Sequence, residues 1–258
     1  MSPEPQTGPA SRIADDLRTA VTEGRLPPGE KLPPVRKLAD RYGVSRNTAA
    51  KAIGILSSEG LIVTRYGSGA YVRESHPIRT LGPDRYARSK WQTTTVEAHS
   101  EDHRETVEQQ GDQTQDVRRV PADEEIAAAL GVAAGTVVVE RARTVRRDGD
   151  ATHTVTSYYR LEDVEGTPIE DDRPGMAGRR GSLAILSERG LEPHNVIENL
   201  KARMPTVDEA VTLSLPPGEP VVEMVRLTRT ADGRVIEYAK GVHAASRFEW
   251  SFPFEIPD

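Results

Sequence analysis

The 258-residue chain has no cysteine, which excludes disulfides and thiolate chemistry and leaves any metal site to histidine and carboxylates. No apolar run approaches the ~20 residues needed to cross a bilayer. MSPEPQTGPA at the start lacks the charged-then-apolar order of a secretion signal, so residues 1–10 are expected as a disordered tail. A cytoplasmic location without a membrane partner follows. The six histidines are scattered, and HExxH, a nucleophile–base pairing and a glycine-rich phosphate loop are missing. No metal, cofactor or catalytic residue is therefore expected. A basic excess is also missing, since the net charge is −6. What is present, 36% hydrophobic and 29% charged residues, fits a soluble globular protein of one large or two ordinary domains.

The charge is unevenly spread. Residues 12–90 hold 15 Lys and Arg against 8 Asp and Glu, whereas residues 91–258 hold 19 against 31. A basic footprint is thus confined to the N-terminal third, and the acidic remainder should repel nucleic acid.

Within that third, LPPVRKLADRYGVSRNTAAKAIGILSSEGLIVTRYGSGAYV, from Leu32 to Val72, is the most patterned stretch. Ser11 is expected to cap a preceding helix, Arg12 to Glu23, with Ile13, Leu17, Ala20 and Val21 inward. Pro33 and Pro34 should open the next, with Val35, Leu38, Ala39 and Tyr42 on one face and Gly43 as its left-handed end. Ser45 should cap another helix, whose buried stripe is Ala49, Ala52, Ile53 and Leu56. Leu61, Val63 and Arg65 alternate as a strand. Tyr66 to Gly69 make a glycine turn, and Ala70 to Val72 return. Two helices, a short turn and a hairpin describe a winged helix-turn-helix. Its second helix would offer Ser45, Arg46, Asn47, Thr48 and Lys51 to a major groove. A small helical domain with a similar turn is the plainer alternative.

These residues resemble the DNA-binding domain of the GntR family of bacterial transcription regulators. LPPVRKLA is similar to its LPSERELA, GVSRNT to GVSRxT, and EGLIVTRYGSGAYV to EGLIxRxxGxGTFV, over residues 11–72. The resemblance implies DNA contacts by Arg36, Ser45, Arg46, Asn47, Thr48 and Gly67, with the wing at Tyr66, Gly67 and Gly69 in the minor groove. Ala50 stands where the family usually has arginine, and Lys51 points about 100° away from it. The domain is placed at residues 11–73, followed by a linker at 74–90. There Arg79, Arg85, Arg88 and Lys90 are either phosphate contacts or solvated charge.

From residue 91 the pattern changes. QTTTVEAHS is β-prone, and residues 101–116 are polar and acidic enough for a mobile loop or frayed helix. Strands are expected at 116–120, 136–147, 152–161, 193–203, 221–230 and 234–243. Helices are expected at 121–130, 182–189 and 207–213, the last capped by Thr206, and a loop at 162–178. Hairpin-joined strands with interspersed helices imply an α+β domain on an antiparallel sheet. Residues 91–254 resemble the UTRA effector domain of the HutC subfamily, through ALGVAAGTVVVERARTVRRDGD, SYY, GSLAIL, VIENLKAR and LPPGEPVVEMVRLTRTADGRVIEYAKGVHAASRFEW. That resemblance implies a chorismate-lyase-like fold over residues 91–258 that binds small metabolites.

Arg141 and Arg143, two apart on a strand, share a face. They either face solvent or surround an anion; the resemblance, which puts an arginine pair in the effector pocket, favours the anion. Ser182 is either an ordinary helix cap or the start of an anion-binding helix N-terminus. The resemblance also points to Glu237, and to His243 in place of a ligand-contacting tyrosine. Glu198 is a lesser candidate. The reading is a ligand-responsive regulator, expected to be a repressor, that binds a palindromic double-stranded operator as a homodimer. Its small-molecule effector, suggested to be anionic, sits in the C-terminal domain. The alternatives are a constitutive DNA-binding protein whose C-terminal domain only dimerises, and an enzyme resembling a lyase.

Overall fold

The computed structural model describes residues 8–65, 67–74, 78–91, 112–147, 149–172 and 181–255. The chain divides into two units, Met1–Pro77 with Leu215–Glu219, and Ile78–Ser214 with Pro220–Asp258.

The first unit contains α1 (Pro9–Thr22), α2 (Val35–Tyr42), α3 (Arg46–Ser58) and a hairpin of β1 (Ile62–Arg65) and β2 (Gly69–Val72). Helical spacing puts Ile13, Leu17, Leu38, Ala49, Ala52, Ile53 and Leu56 into one core, which Ile62 and Val72 close from the hairpin. Gly43 ends α2 at φ +63°, a left-handed position that costs a side chain strain.

Three expectations need correction here. α1 starts at Pro9, so Ser11 lies inside it rather than at its cap. Pro34 is the residue before α2 and not its first turn; its fixed φ suits the entry equally well. In β1, which starts at Ile62 and not at Leu61, the buried residue is Ile62, of opposite parity to the alternating Leu61, Val63 and Arg65, while Leu61 packs partly against the same core.

The second unit is built on a six-stranded antiparallel sheet. Its strands are β4 (Asp112–Pro121), β5 (Val137–Arg147), β6 (Asp150–Arg160), β7 (Asn195–Arg203), β8 (Val221–Arg229) and β9 (Val235–Ala244). They are arranged β4-β5-β6-β9-β8-β7. One face is covered by α4 (Glu124–Leu130), whose Ile126, Ala127 and Leu130 pack on Val138, Tyr158 and Tyr238. Asp123 caps α4 by accepting from the Ile126 N–H at 2.7 Å. Part of the other face packs under α5 (Leu161–Val164) and α6 (Gly181–Glu188), where Val164, Ile185 and Leu186 meet Val139 and Tyr159. α7 (Val207–Thr212) starts with a capping box of Thr206 and Glu209.

The segment expected as a linker does not behave as one beyond residue 78. Arg79–Leu81 forms β3, parallel to β10 (Phe248–Trp250), and two tight 3-10 turns follow at Pro83–Tyr86 and Arg88–Lys90. Leu81 and Trp91 are buried. Strands of three residues carry too little alternation to be read from sequence. β4 begins at Asp112, inside the stretch read as loop or frayed helix, because its pairing with β5 supplies order that local composition does not. Pro121 ends β4 instead of starting a helix, and the 162–178 loop contains α5's end and a 3-10 turn at Pro168–Glu170. Residues 92–111, including the β-prone QTTTVEAHS, lie outside the described residues.

Candidate functional sites

The first site is the exposed N-terminal end of α3. The Ser45 hydroxyl accepts from the Thr48 N–H at 3.1 Å and lies 2.9 Å from the Thr48 hydroxyl, so both side chains fix the start of the helix. Arg46, Asn47 and Lys51 are exposed, as is Arg36 on α2. Arg36, Arg46 and Lys51 have no ion pair or side-chain hydrogen bond among the described residues. Guanidinium groups left free beside a helix start suit the acceptor edge of guanine or phosphate oxygens. In the hairpin, Gly67 and Gly69 have φ of +71° and +114°. A Cβ at Gly69 would meet only the end of the exposed Lys31 side chain, at 3.1 Å, so it is the backbone conformation that calls for glycine there. Tyr66 lies outside the described residues. Ala50 is exposed on α3, as a surface position would require.

The second site is one face of the six-stranded sheet. Side chains alternate along a strand, and direct cross-strand partners share a face. Arg141 pairs with Ser157, Ser157 with Ala239, Ala239 with Arg226 and Arg226 with Glu198. In the next row, Arg143 pairs with Val155, Val155 with Gly241 and Gly241 with Met224. His153 pairs with His243 beyond them, and Tyr159, Thr228 and Glu237 lie on the opposite side of the arginine row. The predicted Arg141, Arg143, Glu237 and His243 are thus brought onto one face. Ser182 lies in the first turn of α6, the helix whose Ile185 and Leu186 pack on Tyr159.

Charge on this face is buried. Arg141 is only 2% exposed; its Nη2 donates to Gln115 at 2.6 Å, while its Nε has no hydrogen-bond partner. The Arg143 Nε is likewise buried without a partner. Burial, and then the Arg143 charge, push the Arg141 guanidinium below its ordinary pKa. Neither arginine has a carboxylate within ion-pair distance among the described residues. Glu237 is different. Tyr159 donates to it at 2.7 Å, and Arg226 and Thr228 donate at 3.1 Å each. Burial alone would raise its carboxyl, but the Arg226 charge and the Tyr159 hydroxyl outweigh that and hold it below the ordinary carboxylate range.

Two candidates prove to be engaged in structure. Glu198 takes an ion pair from Arg85 and a hydrogen bond from the Tyr86 hydroxyl, so both Glu198 and Arg85 are committed within the C-terminal unit. His243 stacks on His153 with ring centroids 4.8 Å apart and is edged by Phe248 and Trp250. Burial lowers its pKa to about 4, which keeps the ring neutral. Arg79 is also partly buried, lowered by burial and then by the charges of Arg147 and Arg85. Arg88 is exposed and 3.4 Å from Glu192, and the Lys90 side chain lies outside the described residues. Sequence reasoning missed Tyr86, Tyr159 and Arg226. The signal available was parity: Arg226 and Thr228 fall two apart in VVEMVRLTR, but which face they share depends on pairing with β9.

Among the described residues, no group of histidine and carboxylate side chains could hold a metal ion, and no helix is long and apolar enough to cross a membrane.

Comparison with known proteins agrees with this division. Residues 9–72 match the family of bacterial regulatory proteins named gntR, and residues 111–249 match the UTRA domain. An uncharacterised HTH-type transcriptional regulator of Streptomyces coelicolor is 43% identical over 251 residues, covering 96% of this chain and 92% of that one. The HTH-type transcriptional repressor NagR of Bacillus subtilis is 25% identical, covering 92% and 90%. A solved structure of a GntR-family transcriptional regulator is 26% identical, covers 98% and 99% of the two chains and superposes with a TM-score of 0.66. These relatives are regulators and not enzymes. The chain belongs to the GntR family of bacterial transcription regulators, with a winged helix-turn-helix in its first unit and a UTRA domain in its second.

Proposed function

We propose that the protein is a repressor whose operator affinity is set by an anionic metabolite, and that it falls in the HutC subfamily. It works in the cytoplasm as a homodimer on a palindromic operator, with recognition helices roughly 34–36 Å apart. In each copy Arg46, Asn47, Thr48 and Lys51 face the major groove, Ser45 and Arg36 meet the backbone, and Tyr66, Gly67 and Gly69 form the wing. The repressor reading draws on the relative bearing that name. The effector reading rests on one observation: buried Arg141 and half-buried Arg143 share a sheet face, each with a buried Nε that has no hydrogen-bond partner and no carboxylate within ion-pair distance among the described residues. Two such charges are costly unless an anion joins them. A carboxylate or phosphate bound between the two guanidiniums, beside Ser182, Glu237 and His243, would relieve that cost.

The test starts from DNA recovered by genomic footprinting of the protein, because genes beside the site suggest the metabolite. Arg46→Ala should weaken binding to that site by roughly 2–6 kcal/mol per dimer, at about 1–3 kcal/mol per lost bidentate contact, with thermal unfolding unchanged. Gel-shift titration reads it, and undiminished affinity would refute the assignment. Arg141→Ala should keep operator binding and lose the response to metabolite.

A further inference from the structure

Resting on the regulator reading, we infer that Arg226 and Tyr86 couple the effector face to the segment that follows the DNA-binding unit. The Arg226 guanidinium is two-ended. Its Nη2 donates to Glu237 at 3.1 Å, and its Nη1 donates to the Tyr86 hydroxyl at 3.2 Å. Tyr86 in turn donates to Glu198, which Arg85 also holds. At the other end Glu237 accepts from Tyr159 and Thr228. A continuous run of polar contacts therefore links Tyr159, on the sheet face that carries the arginine pair, to the 3-10 turn at Pro83–Tyr86.

The chemistry of this run makes it a transmitter instead of mere packing. A guanidinium is planar and rigid, so moving one nitrogen toward or away from Glu237 moves the other relative to Tyr86. Glu237 also senses the charge of Arg143. An anion seated on Arg143 cancels that charge and places a negative neighbour beside Glu237, which shifts the balance of attraction on Arg226. Tyr86 is well placed to register the change. Its backbone carbonyl accepts from the Trp91 indole at 3.1 Å, and its ring lies 5.8 Å from the Arg226 guanidinium carbon. Residues 78–91 are the part of the second unit nearest in sequence to the recognition helix. Coupling of this kind needs only a two-state element that the ligand biases differently in its two states.

The test needs neither ligand nor operator. In the full-length protein, amide hydrogen exchange of residues 81–91 is compared in wild type, Glu237→Gln, Tyr86→Phe and the double variant. Glu237→Gln removes the charge that holds Arg226 and should speed exchange in this segment about tenfold, with α1 and α3 unaffected. In the Tyr86→Phe background the same change should add less than twofold, since the link is already cut. Arg226→Lys, which keeps the charge but not the fork, should reproduce the Glu237→Gln effect and serves if that variant folds poorly. Equal acceleration with and without the Tyr86 hydroxyl, or none from either variant, overturns the coupling. That result would leave the regulator reading intact, which fails separately if the unmodified protein binds no specific DNA.

Discussion

Within residues 8–74 every buried side chain among those described is apolar, from Ile13 to Val72. The C-terminal sheet instead buries Arg141, Ser157, Thr228, Glu237 and His243 among its apolar residues. The first arrangement is what a rigid mount for one recognition helix requires, with its charges left outside for DNA. The second gives up stability for a polar interior, and a fold tends to keep such groups where they act on something. Apolar packing and exposed charge are kept apart in the head, whereas in the sheet domain charged and polar side chains share the interior with the apolar ones.

The largest effect should come from opening the apolar core. Leu56→Ala leaves a cavity under α3 and should cost about 2–5 kcal/mol. Both tryptophans, Trp91 and Trp250, lie in the C-terminal unit. Denaturant titration should therefore show helical circular dichroism lost early while the tryptophan transition stays in place; a shared shift would show the two units unfolding together. The opposite sign is expected from Arg141→Met. Removing a buried charge that has no carboxylate should stabilise the sheet by about 1–4 kcal/mol, seen as a later tryptophan transition. Destabilisation by that substitution would mean Arg141 is paired in the ligand-free state.

A smaller effect distinguishes the units by pH. Burial lowers His243 to about 4 and His153, which also faces Arg79 and Arg143, to about 2, from 6.5 in the unfolded chain. Above about 6.5 neither state takes up protons at these rings. As pH falls from there toward 4, the unfolded chain binds protons that the fold refuses, so stability is lost. The tryptophan transition should weaken over that window more than the helical one. His243→Phe should reduce the slope.

The head was readable because its signals are local. Gly43 and Ser45 mark the turn, Ala49 to Leu56 give the stripe, and Gly67 and Gly69 mark the hairpin. Most sheet strands were readable to within a few residues for the same reason. Arg141, Arg143 and Glu237 could be named from a strand pattern and a resemblance, but what surrounds them could not. Arg226 reaches Glu237 through the β8–β9 register, and Tyr86 reaches Arg226 from 140 residues away in sequence. The β3–β10 pairing likewise joins three-residue pieces with no periodicity to show them.

That pairing has a consequence for biosynthesis. Arg79–Leu81 cannot find its partner until Phe248–Trp250 has left the ribosome, so the sheet domain closes late and through distant contacts. The helix-turn-helix core is made by residues 13–72 alone, and only Leu215–Glu219 joins that unit from later in the chain. A newborn chain should therefore carry a folded DNA-reading head while its sensor is still being translated, and a stalled or truncated product would be one that grips DNA without being able to listen.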